Sequence, residues 1–227
     1  MREALPFVDL APRMSYPEDA MGYYPIFLNL SGRRCLVVGG GPVAERKIEG
    51  LLAASASVTV VSPTLTAALQ RLAKEKKIRH FMRDYRKGDL SGYRLAFVTT
   101  DDAQVNRAVY EEAEEADVFI NAADDPAHCD FILPSVLRRG QLQVAVASGG
   151  SSPALSRAVR EELESYFTED YSVLSEIVAE LRSELKEKSL SADAESWRQA
   201  LNGEVRRLVR DGDIEGAKRY LRERVGR

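Results

Sequence analysis

The chain has 227 residues, 44% of them hydrophobic, which is enough for a core in one large domain or two small ones. Its 32 basic and 35 acidic residues leave a net charge of -3, so bulk charge favours neither nucleic acid nor an anionic membrane. Two cysteines, Cys35 and Cys129, exclude a disulfide framework and lack CxxC spacing, and no window reaches the roughly 18 apolar residues of a membrane span. A soluble, cytoplasmic protein is expected.

Residues 1–22 carry Pro6, Pro12 and Pro17 and have no basic start followed by an apolar run, as a signal peptide would. They read as a poorly ordered extension, with Met21 an alternative start. From Arg34 the chain alternates β-branched runs with amphipathic stretches. CLVV at 35–38, a helix over about 42–54 and VTVV at 58–61 make a βαβ unit. A helix near 65–76, strands near 78–81 and 95–99, a helix near 103–115 and a strand at 118–120 continue the pattern. Strand-helix alternation predicts an α/β fold with a Rossmann-type parallel sheet.

The pattern changes after Phe131. ILPSVL and LQVAVAS flank the turn-like RRGQ and predict two further strands. Ser152 as N-cap and Pro153 at the first helical position open a helix to about Tyr166. Beyond Thr168 the chain is charged and helix-favouring, with Leu174, Ile177, Val178 and Leu181 at helical spacing. Four parts follow: an extension over 1–22, an α/β domain over 23–133, a strand-rich segment over 134–166 and an α-helical domain over 167–227.

CLVV runs directly into Gly39-Gly40-Gly41-Pro42-Val43-Ala44, a GxGxxA turn opening a predicted helix. Gly39 permits the tight turn, Gly41 lets the backbone approach a pyrophosphate, and Ala44 allows close packing of helix on strand. Pro42 and Val43 begin the helix, whose free N–H groups hold phosphate. A structural turn is the bland alternative, disfavoured by the complete βαβ context. At the end of the second strand, Ser62 and Pro63 stand where an acid for the ribose is expected. A serine hydroxyl still bonds a ribose, and no Arg follows to favour a 2′-phosphate, so NAD is preferred over NADP.

Thr99 and Thr100 end another strand and are expected at the nucleotide, while Asp101 or Asp102 caps the next helix. Asn121-Ala122-Ala123-Asp124-Asp125-Pro126 follows the strand at 118–120, where ligands of open α/β sheets bind. Asp124 is there either for acid-base work or as a turn former. Ser148, Gly149 and Gly150 lead into the helix at Pro153, as a carboxylate-binding backbone or as a plain turn and cap.

Together, YYPIFLNL, VVGGGPVAERK, VTVVSP, TTDD, NAADDPAHCDFILPS and VAVASGGSSP resemble the precorrin-2 dehydrogenase family, including the dehydrogenase-ferrochelatase module of sirohaem synthases. The match runs in order from about Tyr23 to Phe167. The resemblance implies NAD-dependent oxidation of precorrin-2 to sirohydrochlorin, with ferrous iron as a further substrate in members that also chelate. It implies a homodimer built through the strand-rich segment, and a helical domain that helps cover the tetrapyrrole. It places the family's essential aspartate at Asp124 and its serine before the double glycine at Ser148.

Hydride transfer needs a base for the accompanying proton, for which Asp124 is the candidate and His128 a weaker one. Cys129 is read as packing, and no permanent metal site is visible. A polycarboxylate substrate needs local positive charge, for which Arg157 and Arg160, three apart on one helix, are candidates, ahead of Arg138 and Arg139. All four arginines also fit a solvated surface. The alternatives are a dehydrogenase of another small molecule and a non-catalytic NAD-sensing domain.

Overall fold

A computed structural model of the chain describes residues 22–123 and 125–225. The chain divides after Ile132 into two compact units. Residues 1–21 of the extension, Asp124 and residues 226–227 lie outside the described residues.

The first unit holds β1 (Arg34–Val38), α1 (Pro42–Ala53), β2 (Ser57–Val61), α2 (Ala67–Lys74), β3 (Arg79–Phe81), β4 (Leu95–Val98), α3 (Ala103–Ala116) and β5 (Phe119–Ala122). Its five strands are all parallel in the order β3-β2-β1-β4-β5, the doubly wound arrangement. Side chains alternate across a strand, so Cys35 and Val37 enter one core with Ala44, Ile48 and Leu51 of α1. Leu36 and Val38 enter the other, with Val109 and Ala113 of α3. Both faces are covered, which is why the strands read as continuous apolar runs. The order reverses between β1 and β4, and this opens a crevice at the carboxyl ends of the strands.

Two boundaries differ from the sequence reading in ways that matter. Helix α2 starts at Ala67 because the Thr66 hydroxyl accepts the Leu69 N–H at 3.3 Å, leaving residues 62–66 to fold back over the glycine turn. Strand β5 runs on to Ala122, so Asn121 lies inside the strand, paired with Phe97, instead of after it. Its side chain is thereby buried beneath the strand exit.

The second unit opens with β6 (Ser135–Arg139) and β7 (Leu142–Val146), an antiparallel hairpin turned at Gly140. Helix α4 (Pro153–Tyr166) follows, capped by the Ser152 hydroxyl on the Leu155 N–H at 3.1 Å. Helices α5 (Asp170–Glu187), α6 (Ala194–Ala200), α7 (Gly203–Arg210) and α8 (Ile214–Val225) share a core of Leu174, Ile177, Leu181, Val205, Val209 and Leu221. The architecture is therefore a Rossmann-type unit followed by a small strand pair and an α-helical part.

Candidate functional site

The glycine turn lies at the carboxyl end of β1, beside the switch point. Gly39 has φ +112°, and a Cβ there would stand 2.5 Å from Thr99 Oγ1. Gly40, which carries no role in the sequence motif, is just as constrained. Its Cβ would fall 2.1 Å from the Thr64 carbonyl oxygen, because residues 62–66 pack over it and Thr66 N–H bonds the Gly40 carbonyl at 3.0 Å. Gly41 differs from both. It is the N-cap of α1 in extended conformation, no side chain caps it, and a Cβ there would meet nothing within 4 Å. Open space before an uncapped helix N-terminus fits a dinucleotide pyrophosphate. Pro42 follows at N1, Val43 is half-buried, and Ala44 is fully buried against the sheet.

The neighbouring residues mostly shape this turn. Ser62 is buried beside Gly40, its N–H bonded to the Phe81 carbonyl and its own carbonyl 2.9 Å from His80 Nε2, while Pro63 is exposed. Thr99 donates its hydroxyl to the Val38 carbonyl at 3.0 Å. Thr100 accepts the Asp102 N–H at 2.8 Å, and Asp102 caps α3 by accepting from Gln104 and Val105.

At the exit of β5, Asn121 is 7% exposed and fully engaged. Its Nδ2 donates to the Phe131 carbonyl at 2.9 Å, and its Oδ1 accepts from Lys47 Nζ of α1 at 3.2 Å. Cys129 pairs with Asn121 in an isolated β-bridge. Its sulfur lies 3.2 Å from the Ala122 N–H, and its thiol reaches the Ala122 and Asp125 carbonyls, each at 3.2 Å. Burial pushes this thiol up from its ordinary value, with the Lys47 charge acting the other way. Asp130 closes the loop by accepting the Ile120 N–H at 2.8 Å. His128 is exposed, with Nδ1 2.6 Å from Asp125 Oδ2 and its ring edge-on to Tyr110 at 4.4 Å. The catalytic candidate Asp124 sits in sequence within this pinned loop, outside the described residues. Lys47 and Asn121 were not singled out from sequence. The one available signal was a lysine on the margin of the apolar stripe Ala44, Ile48 and Leu51.

In the second unit, Ser148 anchors the turn before α4. Its hydroxyl donates to the Ser152 carbonyl at 2.8 Å and accepts from the Ser152 N–H at 3.0 Å and the buried Ser156 hydroxyl at 3.1 Å. Gly149 and Gly150 both have positive φ, +62° and +83°, which explains the glycine pair. Arg157 pairs with Glu161 at 2.9 Å, and Arg160 with Glu161 at 2.9 Å and with Glu164. Arg139 donates to the Phe167 carbonyl at 2.7 Å and braces the hairpin, while Arg138 is exposed. Among the described residues no group of three or more His, Cys, Asp or Glu could hold a metal ion, and no helix is long and apolar enough to cross a membrane.

Residues 26–135 match the family described as putative NAD(P)-binding, and residues 139–166 match the sirohaem biosynthesis protein central family. The chain is 41% identical to a sirohaem synthase of Chromobacterium violaceum over 207 residues, covering 90% of this chain and 44% of that protein. It is 39% identical to a sirohaem synthase of Methylobacillus flagellatus over 201 residues, 88% of this chain and 43% of the other. The chain thus spans less than half the length of these curated relatives. Among solved structures, SirC, described as a precorrin-2 dehydrogenase, superposes with a TM-score of 0.72 at 27% identity, over 87% of this chain and 99% of that one.

Proposed function

We propose that the chain belongs to the precorrin-2 dehydrogenase family that also forms the N-terminal module of sirohaem synthases, and that it oxidises precorrin-2 to sirohydrochlorin with NAD. The observation that carries the cofactor half of this reading is the open, uncapped N-terminus of α1 at Gly41, set at the switch point of the sheet. When bound, NAD supplies the hydride acceptor. The Gly39 to Val43 turn holds the pyrophosphate, and Ser62, Pro63, Thr99 and Thr100 wall the nucleotide side of the crevice. The buried Ser62 offers a hydroxyl and no acid at the ribose position, which supports NAD without requiring it.

Loss of two electrons and one proton as hydride leaves a second proton on the macrocycle, and Asp124 is the base we assign to it. The Asp125-His128 pair, exposed beside that position, is a secondary candidate for passing the proton to solvent. Ser148, Gly149 and Gly150 are assigned to substrate carboxylates. Arg157 and Arg160 are assigned there too, on condition that they exchange Glu161 and Glu164 for substrate. The β6–β7 hairpin within 134–166 is the element proposed for homodimerisation, residues 167–227 are proposed as cover for the tetrapyrrole, and the cytoplasm is the proposed compartment.

The test is incubation of purified protein with precorrin-2 and NAD, following NADH and the sirohydrochlorin spectrum together. Both should rise. NAD binding with no turnover would instead support a sensing domain. Ferrous iron added after oxidation tests whether the same protein goes on to chelate.

A further inference from the structure

Lys47 reaches from the cofactor helix to the exit of the strand that leads to the reacting loop. Its ammonium lies 3.2 Å from Asn121 Oδ1, across 74 residues of sequence, and 5.5 Å from the centroid of the Phe97 ring. Position 47 falls on the edge of the Ala44, Ile48 and Leu51 stripe, so the aliphatic stem follows the buried face while the charge sits at its rim. The orientation of the Asn121 amide is fixed by these contacts. Oδ1 faces a donor and Nδ2 faces the Phe131 carbonyl at 2.9 Å, and a flipped amide would oppose like to like. The same Nδ2 lies 3.6 Å from Cys129 Sγ, which in turn grips both backbone groups of Ala122. Phe97 meets Phe131 edge-on at 5.6 Å, closing the far side.

We propose that Lys47 is a positioning residue for the oxidation. Through Asn121 it ties the helix that begins at the pyrophosphate turn to the start and end of the loop carrying position 124. A change that frees one end frees the loop, because a buried amide that loses a partner gives up its fixed orientation. This inference rests on the dehydrogenase reading above, but the tie itself has a readout independent of catalysis.

Cys129 supplies that readout. Cys35 is fully buried in the core and reports only global unfolding. Alkylation of the two thiols, resolved by mass spectrometry, is compared in the wild type, Lys47→Met, Lys47→Arg and Asn121→Ala. Removing the Lys47 charge alone would raise the Cys129 thiol further and slow its reaction. A faster reaction therefore signals an opened loop. We expect Cys129 labelling to accelerate about tenfold or more in Lys47→Met and Asn121→Ala, to return close to wild type in Lys47→Arg, and Cys35 to stay silent throughout. In the coupled assay, kcat should fall about tenfold or more in Lys47→Met with a smaller change in the KM for NAD, and Lys47→Arg should recover most of it. Lys47→Met combined with Asn121→Ala should lose less than the product of the two separate effects, because the two changes remove one shared contact. Unchanged or slower Cys129 labelling in Lys47→Met overturns the tie. Faster labelling with kcat within twofold of wild type overturns its role in the reaction. If the wild type itself fails to oxidise precorrin-2, the dehydrogenase reading falls, and the labelling still decides the tie.

Discussion

Gly39 lies so close to Thr99 that a Cβ on the glycine would stand 2.5 Å from the threonine hydroxyl oxygen, whereas a Cβ on Gly41, two residues on, would meet nothing within 4 Å. The two glycines therefore answer to different demands, one from the fold and one from the ligand. Gly39→Ala should destabilise the protein by about 1–3 kcal/mol or more, because positive φ and a backbone clash act together. Gly41→Asp should keep its melting temperature within a few degrees and lose NAD affinity by at least about a hundredfold, through bulk and repulsion at the phosphate. Thermal melts with NAD titrations check both, and intact NAD binding in a folded Gly41→Asp would remove the cofactor assignment.

Asp124→Asn keeps size and most hydrogen bonding but cannot accept a proton. Loss of a general base costs about 10²- to 10⁴-fold in rate, so kcat should fall by that order with NAD affinity nearly unchanged. If iron insertion uses the same carboxylate, insertion into supplied sirohydrochlorin should fall as well. Oxidation near the wild-type rate in a folded variant would return Asp124 to the role of turn former.

Much of the first unit was legible because its signals are local. The period switch from CLVV to the α1 stripe and back to VTVV, with the glycine turn between, specifies a βαβ unit without reference to the rest of the chain. Gly40 was not legible, since its constraint comes from Thr64 and Leu65 folding back over it. Asn121 read as part of a turn because Asn and Asp cluster there. Only the pairing of β5 with β4 places it inside a strand, where Lys47 can reach it. Ser148 is a similar case. Its three hydrogen bonds to Ser152 and Ser156 belong to the turn and cap of α4, a role that the glycine pair alone does not distinguish from carboxylate binding.

An electrostatic prediction follows from Asp89, which grips Arg83 with both oxygens at 2.7 Å and accepts the Arg86 N–H at 2.9 Å. The Arg83 guanidinium holds this carboxyl below its ordinary value of 3.8, against the opposing effect of burial. A depressed carboxyl stabilises the fold above its unfolded value, and that contribution disappears as pH falls through the lower folded one. Asp89→Asn should cost about 1–2 kcal/mol at neutral pH. In denaturant melts the gap to wild type should narrow as pH drops from about 5 towards 3. A constant gap across that range would mean that the charge contributes nothing.

The dimer proposal makes a simple prediction of mass. Light scattering at micromolar concentration should return twice the 25.2 kDa of the chain. A charged residue introduced by Val144→Glu on the half-buried face of the hairpin should shift the mass towards monomer. A monomer mass for the wild type would count against residues 134–166 as the dimerisation element.

The most direct test of the central claim is the stoichiometry of a single turnover. With enzyme in excess over precorrin-2 and NAD saturating, one NADH should form for each sirohydrochlorin, the two signals should rise with the same rate constant, and Gly41→Asp should produce neither. Sirohydrochlorin formed at the wild-type rate without NAD, or tight NAD binding with no NADH at any precorrin-2 concentration, would contradict the account.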